Sequence, residues 1–222
     1  MTEIPSQKIY FSRLRSLGTG ERAALRREAG KMLRQADGRA IAAFYRCLPA
    51  EADPRQEDRW FAAACLSCLW DADAPEGKPF EQIVAALIRA GALSDSTLHR
   101  VELLLDTDWD ADGYMLTKLT RLIKLIRQKS DRADVDFEAL LTDLLFWNSE
   151  RQTVQRKWAK EIYSAAESKN ENDEKTVLHV RSRPRNLHDA LRIRICSYRS
   201  YVLHKICRFR PGQGNGSVRR EA

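Results

Sequence analysis

The residues of this chain with the most chemistry to offer are its cysteines, its few histidines and an alternating run of aspartates. Cys65-x-x-Cys68 has the spacing of a redox dithiol or of half a zinc site. It lies inside an apolar run, AAACLSCLW, where cysteine acts as a small buried hydrophobe, so packing is its expected role. Asp106, Asp108, Asp110 and Asp112 alternate like a calcium loop, but no glutamate closes the twelfth position and Gly113 falls in the wrong place. Helix capping and solvation are what we expect of them. His179, His188, Cys196, His204 and Cys207 could gather around zinc to build a metal-dependent enzyme, yet their spacing is irregular for such a site. His99 is the only histidine in the first 170 residues, which leaves little material for a histidine general base. No glycine-rich phosphate loop, H-E-x-x-H or G-x-S-x-G occurs. The expected class is a non-enzyme with no catalytic residue, metal or cofactor.

What remains is basic charge at helical spacing. In YMLTKLTRLIKLIRQK, residues 114–129, Leu116, Leu119, Leu122, Ile123 and Ile126 form one apolar arc, and Lys118, Arg121, Lys124 and Arg127 fall opposite. GERAALRREAGKMLRQ, residues 20–35, reads as one helix burying Leu25, Ala29, Met32 and Leu33. Arg27, Lys31 and Arg34 stand on its other side, with Arg26 near the boundary. Residues 150–166 repeat the pattern: Val154, Trp158 and Ile162 make the stripe, and Arg156, Lys157 and Lys160 share the far face. Three such faces point to phosphate-backbone binding, in which Lys and Arg give affinity without sequence preference. Trp60, Trp70, Trp147 and Trp158 read as buried, so base stacking is not expected of them. The competing reading is a helical scaffold whose basic faces meet acidic protein partners.

The elements that must position these residues read as helices throughout. Ser6–Leu17 is predicted helical, and Thr19 can cap the next helix. Gly38–Leu48, Gln56–Trp70, Pro79–Ala90, Thr97–Leu105 and Val135–Trp147 follow, with Gln56–Trp70 as the central buried helix. Without a period-2 strand before residue 170, the expected fold is an all-α bundle of about eight to nine helices. Residues 1–170 carry 26 basic and 26 acidic side chains, whereas residues 171–222 carry 12 and 5, so the tail holds the whole net charge of +7. The domain division expected is 1–168, all-helical, and 169–222, a basic and poorly ordered extension. No apolar run approaches the roughly 18–20 residues that span a bilayer, and no secretory signal is evident. With five cysteines, an odd number, the expected setting is a reducing cytoplasm.

The ordered segments GERAALRRE (20–28), AFYR (43–46), DPR (53–55) and ACLSCLW (64–70) resemble the N-terminal half of the CasB family. LHRVELLLDTD (98–108), LTKLTRLIKLI (116–126), VDFEALLTDLLFW (135–147) and VQRKWAKEIY (154–163) continue the resemblance, which covers about residues 8–165. That family is the small subunit of the Cascade effector complex of type I-E CRISPR systems. The resemblance implies a two-lobed helical protein that acts inside a ribonucleoprotein, beside other Cascade subunits and a second copy of itself. It implies support of the crRNA–target DNA heteroduplex and of the displaced non-target strand, with sequence read by base pairing. Carried over by position, the family's basic contacts fall on Arg27, Arg55, Arg100 and Arg121, and more loosely on Arg151, Arg156 and Lys157. Many relatives have arginine where Thr117 stands, which favours Arg121 over Lys118. Arg26, Lys31, Lys124 and Lys160 complete the candidate set from the helix faces. Family members end soon after the last helix, so residues 170–222 have no counterpart.

Overall fold

The structure, a computed structural model, describes residues 5–70, 77–110, 112–130 and 135–166. They are helical: α1 (Pro5–Arg15), α2 (Thr19–Arg27), α3 (Gly38–Cys47), α4 (Glu57–Trp70), α5 (Phe80–Arg89), α6 (Asp95–Leu105), α7 (Tyr114–Lys129), α8 (Phe137–Leu145) and α9 (residues 153–166). Short 3-10 turns occupy Leu33–Gln35 and Pro54–Gln56. Extended pairing among the described residues is confined to one isolated parallel bridge between Lys78 and Val135. The all-α class therefore holds. These helices fall within one compact unit, Met1–Val180, and the two lobes expected from the resemblance are not shown. The extension and its histidines and cysteines lie outside the described residues.

The centre is α4. Ten of its fourteen residues are buried, among them Trp60, Phe61, Leu66 and Leu69. A helix that is apolar all round must be covered on all sides, and α2, α7 and α8 pack against it. Tyr10 of α1 extends this core: its hydroxyl donates to the Trp60 carbonyl at 3.0 Å, and its ring meets Trp60 edge-on at 4.9 Å. Cys47, Cys65 and Cys68 are buried free thiols, which is the packing role expected of the Cys65–Cys68 pair.

The helix expected over residues 20–35 is shorter. It ends at Arg27 because Gly30 adopts φ +100°, a left-handed conformation that breaks the ladder, after which a 3-10 turn carries Leu33–Gln35. Arg27, Lys31 and Arg34 therefore do not share one helical face. The N-cap of α2 is Gly18, not Thr19, and the Glu21 carboxylate accepts from the Gly18 N–H. Asp110 caps α7, accepting from the Tyr114 N–H at 3.0 Å, which is the role expected within the aspartate run. Gly113 also needs its glycine: φ is +77°, and a Cβ there would come within 3.0 Å of Met32.

Candidate nucleic-acid interface

The C-terminal end of α4 organises the largest group of cations. The last carbonyls of a helix have no partner within it, and burial makes them costly to leave unpaired. Arg26 Nε of α2 donates to the Cys68 carbonyl at 2.8 Å, and Arg127 Nη1 of α7 donates to the Leu69 carbonyl at 2.6 Å. Arg22, one turn before Arg26, hydrogen-bonds the Cys68 thiol. Burial pushes that thiol up to about 11 despite the pull of Arg22 and Arg26, so it stays protonated. Two consecutive carbonyls thus bring α2 and α7 together over one helix end. The loop after α2 runs along α7, with Gly30 against Thr120 and Met32 against Gly113.

The contact that holds Arg127 on this surface does not neutralise it. A carbonyl oxygen is dipolar but uncharged, so the Arg127 guanidinium stays positive on the Leu69 carbonyl. Arg27, Arg121 and Lys124 are exposed, and their side chains make no hydrogen bond or ion pair among the described residues. Lys124 shares a shallow concavity with Leu69, Arg127 and Gln128. The helix period sets Arg121, Lys124 and Gln128 along one outward stripe of α7.

Other candidates have different fates. Lys118 turns inward: its ammonium donates to the Leu103 carbonyl at 3.0 Å and the Thr107 hydroxyl at 2.8 Å, and lies 4.3 Å from the Tyr114 ring centroid. It closes the end of α6. Lys31 pairs with Glu28 at 2.9 Å beside the α2 break. Arg100 is exposed one turn before Leu103 on α6, the helix that packs against α7. Arg55 is exposed in the 3-10 turn at the opposite end of α4, roughly 20 Å along the helix from Cys68. It belongs to a separate surface.

The α9 candidates form a third region. Asp143, with 8% side-chain exposure, accepts from Lys157 Nζ through both oxygens at 2.7 Å and from Trp158 Nε1 at 2.7 Å. Glu81 of α5 lies 3.1 Å from the same ammonium. Burial alone lowers the Lys157 pKa, but the bonds and charge of Asp143 and Glu81 outweigh it and raise it overall. Burial raises Glu81, against the pull of Lys157. Lys157 is thus a pin between α5, α8 and α9, not an open cation. Arg156 and Lys160 point outward one turn apart on α9, and Arg151 is exposed in the turn before it.

Sequence reasoning passed over Arg22, and it placed Arg127 on the basic side of α7 without carrying it into the candidate set. The i, i+4 spacing of Arg22 and Arg26 was the available signal; the target carbonyls were not readable. It also gave no role to Tyr114, a residue 60% exposed at the start of α7.

Known proteins share this architecture. The family model of CRISPR-associated protein Cse2 matches residues 21–163, from α2 into α9. A CRISPR-associated protein Cse2 from Thermus thermophilus is 33% identical over 124 residues, which is 55% of this chain and 67% of that protein. A crystal structure of a Cse2-family protein from the same organism superposes with a TM-score of 0.58 at 28% identity, covering 72% of this chain and 98% of that one. Two likenesses carry the fold alone. M. ruber CasB gives a TM-score of 0.60 at 23% identity, covering 79% and 99%. A chain of a CRISPR RNA-guided surveillance complex gives 0.59 at 23%, covering 78% and 99%. With the family model spanning well over half of its length, this chain belongs to the CRISPR-associated protein Cse2 family.

Proposed function

We propose that this protein is a non-catalytic, cytoplasmic subunit of a type I-E CRISPR surveillance complex in antiviral defence, holding nucleic acid by its phosphates. The observation that carries the reading is the surface of α2 and α7 at the end of α4, where Arg127 is bonded to a neutral carbonyl and Arg27, Arg121 and Lys124 are exposed. Such a surface has affinity for a phosphate backbone and no means of reading bases, which suits a complex whose specificity comes from a guide RNA. Its objects are the crRNA–target DNA heteroduplex and the displaced non-target strand; its neighbours are other Cascade subunits and a second copy of the chain. Arg100 extends the surface, while Arg55 and the outward cations of α9 (Arg151, Arg156, Lys160) offer separate contacts. The similarity of the fold to a chain of a CRISPR RNA-guided surveillance complex supports this setting.

The scaffold reading assigns the same cations to acidic protein partners. Charge reversal at Arg27 and Arg121 separates the two. Weakened target-DNA binding by an assembled complex supports nucleic-acid holding, whereas failure of assembly supports the scaffold. With about six phosphate contacts, affinity should fall by roughly 10³ between 50 and 200 mM salt. Binding that ignores salt would sink the reading. Comparing the full chain with one ending after residue 168 then measures what the extension adds.

A further inference from the structure

Backbone contacts account for the cations of α7 but not for the aromatic ring at the head of the same stripe. Tyr114 is the most exposed large hydrophobic residue among those described, at 60%. At 100° per residue, Tyr114, Lys118, Arg121 and Gln128 fall within one side of α7 and Lys124 beside them. A ring and a cation about 10 Å apart along a helix axis, at 1.5 Å per residue between Tyr114 and Arg121, match the reach of one or two nucleotides of a single strand.

The ring is also held. Lys118 lies over one face at 4.3 Å, and its ammonium is fixed by the Leu103 carbonyl at 3.0 Å and the Thr107 hydroxyl at 2.8 Å. These contacts occupy Lys118, so it supports the ring and does not seek a phosphate. The backbone beneath is fixed by Asp110, which accepts from the Tyr114 N–H. A ring already ordered in the free protein loses little entropy on receiving a flat partner. We propose that Tyr114 is a stacking platform for an unpaired base of a single strand whose phosphates run along Arg121 and Lys124. This rests on the phosphate-holding reading of α7 and adds to it a preference for unpaired over paired nucleic acid. In a duplex both faces of each base are already stacked, so the platform has nothing to receive.

The test measures binding of the full 222-residue chain to a single-stranded oligothymidylate and to a duplex of equal length, across a salt series. Tyr114→Ala should weaken the single strand about fivefold, the low end of one base on an aromatic side chain, while duplex affinity and salt slope hold. Tyr114→Phe should restore binding, because the ring and not the hydroxyl acts. Arg121→Glu should weaken both ligands and flatten the salt slope. Equal weakening of both ligands by Tyr114→Ala, or none, overturns the platform. So does a Tyr114→Ala protein that binds normally but no longer associates with a second copy, which would make Tyr114 a protein contact. If Arg121→Glu is silent while Tyr114→Ala weakens the single strand, the phosphate path fails and the platform stands. Absence of single-strand binding by the wild-type chain at 50 mM salt overturns both.

Discussion

Around the end of α4, arginines are bonded to carbonyl oxygens; around α9, Lys157 is bonded to carboxylates. Both contacts fasten helices together, and both start from a basic stripe opposite an apolar one. Their electrostatic results are opposite. A guanidinium on a carbonyl satisfies a helix end and leaves its charge in the field, whereas an ammonium between Asp143 and Glu81 is cancelled. A cation can therefore be structural and still attract phosphate, provided that its partner is neutral. Lys118 follows the α4 pattern locally, with a carbonyl, a hydroxyl and a ring as partners, but it points inward and supports Tyr114.

The comparison breaks most visibly at Asp143. Asp143→Ala should destabilise the fold by about 3 kcal/mol, because it leaves Trp158 Nε1 without its acceptor and Lys157 with Glu81 alone. The half-exposure of Lys157 keeps this at the lower end of buried-pair losses, and a lower denaturant midpoint at unchanged slope would show it. Next comes Arg27→Glu with Arg121→Glu, expected to lower nucleic-acid affinity about tenfold and the salt slope by about 1.8 while leaving stability within ~0.5 kcal/mol. An unfolded double variant would show that these residues hold the core. Lys157→Met sharpens the contrast from the other side: stability should fall, but nucleic-acid affinity should stay within about twofold. A tenfold loss of affinity at normal stability would overturn the assignment of Lys157 as a pin.

The smallest effect is a pH dependence at Glu81. Burial raises its folded pKa, so the folded state binds the proton more tightly than the unfolded one. Its contribution is fully present below the ordinary carboxylate value and is lost as pH rises through the raised value. Glu81→Gln should therefore compare best with the wild type near neutral pH and progressively worse as pH falls through that window. Denaturation curves of both proteins across the window check the sign, and a difference independent of pH would refute it. Lys157 has its raised value in the alkaline range and does not enter this window.

Much of the fold was legible. The 3.6-residue spacing of Leu116, Leu119, Leu122, Ile123 and Ile126 marked α7 at its observed bounds, Tyr114–Lys129. The all-round apolarity of Glu57–Trp70 marked the central helix. The break in α2 was less legible, because Gly30 stands inside a pattern that continues on both sides and its left-handed backbone lies against Thr120, 90 residues away. At the candidate site, the sequence marked Arg27 and Arg121 as outward and ranked Arg26, Lys118 and Lys157 below them, but it kept all three as contacts and could not show what Lys118 and Lys157 are bonded to.

By itself, then, the sequence determined which side of each helix is apolar, because helix period and side-chain hydrophobicity are local properties. It determined the family as well, because the order of segments from GERAALRRE to VQRKWAKEIY survives in one dimension. Only the tertiary structure decided which cations stay open. That depends on what lies beneath each side chain: the Leu69 carbonyl under Arg127, the Asp143 and Glu81 carboxylates under Lys157, and solvent over Arg121. Partners 14 to 76 residues away in the chain set the field of each charge, and no local pattern contains them.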